Sequence, residues 1–188
     1  DLFKEGGDNS TEAVFEVQFL NFASVNYSNN YWESQGVRGT GVWDLGWGFN
    51  VPTEELVNAY EVNDPRKEAT ILFSGQNEGN GLTLPASPPL AQPYWNKKAY
   101  TTPSIRQGYG QNKNHWINIK ILRYADVILM AAEAANELGN SATASGYIEM
   151  IRARARGNNA SILPKVTAMD QSSLRDAMLD HFEFKLEH

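Results

Sequence analysis

The sequence predicts a mainly α protein, in which a helical hairpin scaffold carries a loop-rich layer and a few short β-strands. Residues 121–156 hold two runs of apolar residues at helical spacing, separated by Gly139-Asn140. Residues 21–50 and 82–118 hold no lasting period and are rich in Asn, Gly, Pro and aromatic residues. Strand formers occur only in short runs.

Residues 12–20 contain Val14, Val17 and Phe19 and read as one strand. Residues 21–50 follow as a structured loop region. Pro52-Thr53 opens a short helix. Thr53 caps it, Glu54 and Glu55 sit in its electropositive first turn, and Leu56 and Tyr60 face inward. Asn63-Asp64-Pro65 ends it. Residues 69–73 form a short strand and 76–81 (QNEGNG) a turn. Residues 82–118 include Pro85, Pro88, Pro89, Pro93 and Pro103; a loop this long inside a compact domain is generally functional or mobile.

The helical half comes next. Ile121, Tyr124, Ile128, Ala131, Ala135 and Leu138 share one helical face. Gly139 stops this helix, because glycine takes the left-handed conformation needed just past a helix end. Ser141 or Thr143 caps the second helix, whose buried stripe is Ala144, Ile148, Ile151 and Ala155. Nine alanines across residues 121–156 leave little bulk between the two helices, so they can pack closely as an antiparallel hairpin. The pair spanning 122–155 has the length of one tetratricopeptide-type repeat, about 34 residues. A last helix starts at Ser172 or Ser173, with Ser173 and Asp176 approximating a capping box and Leu174, Met178 and Phe182 on one face.

Composition removes several function classes. The 188 residues are 41% hydrophobic and 20% charged, an ordinary globular balance. With no cysteine, disulfides, thiolate metal sites and cysteine nucleophiles are excluded. A formal net charge of −6 argues against nucleic acid as a partner. Arg152, Arg154 and Arg156 complement a helix C-terminus. No run approaches the ~18 apolar residues of a membrane span. His115, His181 and His188 lack metal-site spacing, and GxSxG, P-loop and GxGxxG motifs are absent. No cofactor is implied.

The aromatic residues carry the functional signal. Tyr27, Tyr31, Trp32, Trp43, Trp47 and Phe49 crowd one irregular segment, interleaved with Asn26, Asn29, Asn30, Gln35, Arg38 and Asp44. Sugar rings present apolar C–H faces and hydroxyl edges, so a site for them wants flat aromatic platforms with amides, carboxylates and guanidinium groups at the rim. Tyr27, Tyr31, Trp32, Trp43 and Trp47 are therefore the candidate ligand-binding residues. The competing reading is that these rings plug the core of the loop layer. Tyr94, Trp95 and Trp116 form a second, weaker set.

Four stretches resemble the SusD/RagB family in the family's own order. RYADVILMAAEAANELGN, followed by YIEMIRARAR, is similar to its "RYADVLLMYAEALNELG" and "LNxVRxRAG" segments. FKEGGDNSTEAVFEVQF resembles its "NSEVIFEVQ" strand, PTEELVNAYEVNDPR its "PTQELVDAYEMNDPR" helix and turn, and SLRDAM the start of a later helix. The chain opens inside the family pattern, without its signal peptide and lipid-anchored cysteine. Towards its end the family's "ERR" is not legible at 179–182, and Leu186-Glu187-His188 reads as an expression-tag remnant. The resemblance implies a C-terminal fragment forming a single domain over 1–185, with 1–118 as the loop-rich ligand side and 119–185 as the helical scaffold.

The family's members are surface lipoproteins of Bacteroidetes-type bacteria. The resemblance implies non-catalytic binding of oligo- or polysaccharide for nutrient uptake. It implies a SusC-type TonB-dependent outer-membrane transporter as partner, and membrane attachment only through a lipid anchor outside this chain. Two alternatives stand beside it: a helical interaction scaffold whose aromatics are all core, and a glycoside hydrolase using Glu33 and Asp44.

Overall fold

A computed structural model describes residues 2–22, 25–27, 30–109, 112–113, 115–167 and 170–186, with the side chains of 5, 21–29, 108–109 and 180–186 outside the description. The protein is mainly α, about 42% helical. The order is β1 (Ala13–Val17), β2 (Leu20–Phe22), β3 (Val25–Tyr27), α1 (Asn30–Gln35), α2 (Glu54–Ala59), α3 (Pro65–Thr70), β4 (Ile71–Phe73), β5 (Tyr94–Asn96), α4 (Pro103–Tyr109), β6 (Ile119–Arg123), α5 (Tyr124–Glu137), α6 (Ser141–Arg156) and α7 (Gln171–Leu186). Among the described residues the strands form three two-stranded sheets, β1 with β6, β2 with β3 and β4 with β5. The last pair is antiparallel, with Leu72 opposite Trp95.

The chain divides into two compact units. The first comprises Asp1–Ser10, Glu16–Thr53 and Glu68–Ile121. Its core joins Val37, Trp43, Leu45, Leu72, Leu84, Leu90, Trp95 and Tyr100, beside a second cluster of Trp32, Ala99, Ile105 and Ile117. The proline-rich stretch is thus a packed layer containing β5 and α4, where the sequence predicts an unstructured loop. Periodicity misses it because Leu84, Leu90, Trp95 and Tyr100 enter the core singly. Lys120 is buried here. It pairs with Asp8 and lies 3.2 Å from Glu16, and Asn118 donates to Glu16 at 3.0 Å and to Gln18 at 2.9 Å.

The second unit comprises Thr11–Phe15, Glu54–Lys67 and Leu122–His188. Helices α5 and α6 pack as the expected hairpin, with α7 against both. The interface is Ala132, Ala135, Ala144, Ile148, Leu174 and Met178, small residues facing larger ones.

Three expectations for the helices need correction. Helix α6 has Asn140 at its N-cap, not Ser141 or Thr143. Helix α5 starts at Tyr124, because residues 119–123 pair as β6 and Asp126 accepts the Arg123 backbone N–H at 2.9 Å, fixing the first turn. Its buried face is Ala125, Ile128, Leu129, Ala132, Ala135 and Asn136, whereas Tyr124 (51% exposed) and Leu138 (78%) point to solvent. At α7 the cap is Asp170, which accepts the Ser173 N–H and Oγ–H at 2.9 Å each, one turn before the expected capping pair. The three arginines of α6 are spent on ion pairs, Arg152 with Glu61, Arg154 with Glu12 and Arg156 with Glu149.

Candidate functional site

The segment after α1 builds the site. Residues 45–49 run back along the end of α1 and are tied to it by backbone bonds. The N–H groups of Leu45 and Gly46 donate to Val37 (3.0 and 3.1 Å), Trp47 to Glu33 (2.8 Å), Gly48 to Gly36 (3.0 Å) and Phe49 to Ser34 (2.8 Å). This close approach requires glycine. A methyl on Gly46 would overlap the Glu33 carbonyl, and one on Gly36 the Leu45 carbonyl. At Gly48, φ is +70° and an added Cβ would meet the Trp95 ring at 2.8 Å. Gln35 locks the layer beneath, its Oε1 accepting from Asn50 at 2.9 Å and Asn96 at 2.7 Å.

On this fixed backbone Trp47 is 53% exposed and Phe49 62% exposed. The Lys113 ammonium lies 6.0 Å from the Trp47 ring centroid and 3.0 Å from Asp44 Oδ1. Asn112 donates to the Gly41 carbonyl at 3.3 Å, seating the Lys113 segment beside the 41–44 turn. A half-open indole is thus flanked by a cation and a carboxylate, the rim a sugar hydroxyl needs. Lys113 has no sequence signal, because it meets Asp44 only through the fold.

The other candidates lie elsewhere. Trp32 is 3% exposed, donates its indole N–H to Ile117 at 3.1 Å and packs on His115 at 4.4 Å between ring centroids. Trp43, 5% exposed, stacks on Tyr100 at 6.2 Å. Both rings are packing residues. Tyr31 is half-buried, edge-on to Trp32 at 5.1 Å, and burial raises its pKa. The side chain of Tyr27, like those of Asn26 and Asn29, lies outside the described residues. In the second set Trp95 is buried, while Tyr94 and Trp116 are half-buried.

His115 is a buried packing residue. Burial, reinforced by the charges of Lys4 and Arg106, drives its pKa down to about 3, so the ring is neutral and its Nδ1 accepts the Ile117 N–H at 3.3 Å. For the hydrolase alternative, the Asp44 carboxylate is already engaged by Lys113 at 3.0 Å. Among the described residues no three His, Asp or Glu gather where a metal ion would bind.

Residues 11–187 match the SusD family model. The chain belongs to the SusD family. It is 29% identical over 141 residues to SusD-like protein P25 of Formosa agariphila, covering 75% of this chain and 24% of that protein. With SusD-like protein P2 of the same organism it shares 27% over 195 residues, 93% of this chain and 38% of that protein. A SusD superfamily protein of Bacteroides vulgatus aligns over 98% of this chain and 39% of its own, with a TM-score of 0.69 and 21% identity. The surface glycan-binding protein A of Bacteroides thetaiotaomicron, in complex with laminarihexaose, aligns over the whole chain and 42% of its own, with a TM-score of 0.68 and 20% identity. The SusD family chain described here therefore spans between a quarter and about two-fifths of these proteins.

Proposed function

We propose that this chain is part of a non-catalytic glycan-binding protein. It works at the bacterial outer-membrane surface, held there by a lipid anchor, and passes oligo- or polysaccharide to a SusC-type TonB-dependent transporter for nutrient uptake. The observation carrying this reading is Trp47, a large apolar ring left half-open on a backbone too tightly bonded to bury it. Exposed aromatics grouped on one rigid segment, here Trp47 and Phe49, make a candidate contact surface. Membership of the family and the laminarihexaose-bound neighbour support sugar as the contact. Trp47 and Phe49, with Lys113 and Asp44 at the rim, are the proposed ligand residues; Tyr31 contributes an edge.

Burial of Trp32, Trp43 and Trp95 favours the scaffold reading for those three rings. Affinity electrophoresis against a panel of soluble polysaccharides separates the two. Retarded migration of the parent chain with at least one glycan, lost in a folded Trp47→Ala variant, is the expected result. A well-folded parent that no polysaccharide retards would leave the scaffold reading standing.

A further inference from the structure

The first unit holds a second recess that the Trp47 platform does not use. It is a cleft of about 140 Å³, floored by Ile71, Leu72 and Leu84 and walled by Glu68, Phe73, the 76–79 turn and Lys97. The wall is built, because the turn is pinned from within. Glu78, 2% exposed, accepts the backbone N–H of Asn80 at 2.8 Å and of Leu82 at 3.1 Å, and the Asn80 amide at 2.8 Å. Asn77 accepts the Gly79 N–H at 2.8 Å. These bonds hold the Glu78 carboxylate ionised: burial pushes its pKa up, the Asn80 and Leu82 bonds outweigh that, and the net shift is downward.

Three polar groups of the wall are left over. Among the described residues neither the Lys97 ammonium, the Glu68 carboxylate nor the Gln76 amide has a hydrogen-bond or ion-pair partner. Together they offer donors from Lys97, acceptors from Glu68 and both from Gln76. A hydroxyl group both donates and accepts, so such a mixed wall suits a polyol. Two carboxylates against one ammonium oppose an anionic ligand, and the ammonium opposes a metal ion. The volume is below the ~300–1,000 Å³ of pockets that enclose a drug-sized molecule, so the occupant is no larger than a single ring.

The buried Trp95 lies between the platform and the cleft without lining the cleft. The Trp95 ring lies under Gly48, beside Trp47, and its indole N–H reaches Ser74 Oγ at 3.0 Å, just after Phe73 of the cleft wall. We propose that this cleft is a separate subsite for a single neutral sugar unit, a chain end or a branch, recognised by Lys97, Glu68 and Gln76. The inference rests on the sugar-binding reading of this unit but uses none of the platform's residues.

Saturation-transfer NMR tests it, using the methyl glycosides of glucose, galactose, mannose and xylose at millimolar concentration. The parent chain is compared with Lys97→Met, which keeps the stem, Gln76→Ala at the exposed turn, and Trp47→Ala. The expected result is transfer to at least one glycoside, weakened about tenfold by Lys97→Met and by Gln76→Ala, each losing one hydrogen-bonding partner, and kept in Trp47→Ala. Transfer unchanged in both cleft variants, transfer lost only in Trp47→Ala, or none in a folded parent would overturn the subsite. A parent that binds monosaccharide through Lys97 but no polysaccharide would instead overturn the platform and leave the cleft.

Discussion

Removing the Trp32 indole would empty a site that is 3% exposed and strand the Ile117 carbonyl that its N–H satisfies. Trp32→Ala should therefore cost about 3–5 kcal/mol, read as a lowered midpoint in urea unfolding. Trp47→Ala, at a ring more than half in water, should cost under about 1 kcal/mol in the same titration while abolishing glycan retardation. The glycines beneath the platform give a third case. Gly46→Ala places a methyl against the Glu33 carbonyl, where backbone rather than a flexible side chain must yield. We expect a loss of about 2 kcal/mol or more, with glycan retardation weakened although no platform side chain has been altered. A variant as stable as the parent and equally retarded would show that residues 45–49 are looser than their five hydrogen bonds imply.

At the level of elements, α5 ends where α7 begins. Asn136, fully buried, donates to the Gln171 carbonyl at 2.9 Å, and the Gln171 amide donates back to the Asn136 carbonyl at 2.9 Å. Asn136→Ala deletes one bond of this reciprocal pair and leaves a gap where a fully buried amide stood. It should lower stability by about 1–3 kcal/mol, and hydrogen exchange should show α7 opening ahead of α6. The hairpin itself was legible in the sequence, since Ile128, Ala135, Ile148 and Ile151 obey helical spacing whatever surrounds them and Gly139 marks the turn between the helices. The start and facing of α5 were not. Ile121 and Tyr124 fit the stripe as well as any residue, but pairing of 119–123 as β6 and the Asp126 turn override that pattern. Asp170 was missed because a cap is defined by where the helix starts, and α7 starts at Gln171.

Over the whole molecule, acid is the condition that should matter most. His115 titrates near 6.5 when unfolded but only near 3 when folded. Between those values the unfolded chain binds a proton that the native one refuses. The stability held by a neutral His115 is thus complete above about pH 6.5 and drains away as pH falls toward 3, at roughly 1.4 kcal/mol per pH unit. Urea titrations at descending pH should show this slope, and His115→Phe should flatten it; equal slopes would mean that His115 is hydrated in solution. His115 also marks the limit of sequence reading for the site. An isolated histidine, a buried Trp32 and an exposed Trp47 look alike as letters, and long-range packing alone sorts them. That sorting has an optical consequence. Of the five tryptophans, Trp32, Trp43 and Trp95 are at most 5% exposed and Trp47 is 53% exposed, while Trp116 is half-buried. Acrylamide should therefore quench mainly the red edge of the emission, which belongs to Trp47. A saccharide lying across that indole would shield it, so the intrinsic fluorescence of the unlabelled protein can report occupancy of the platform.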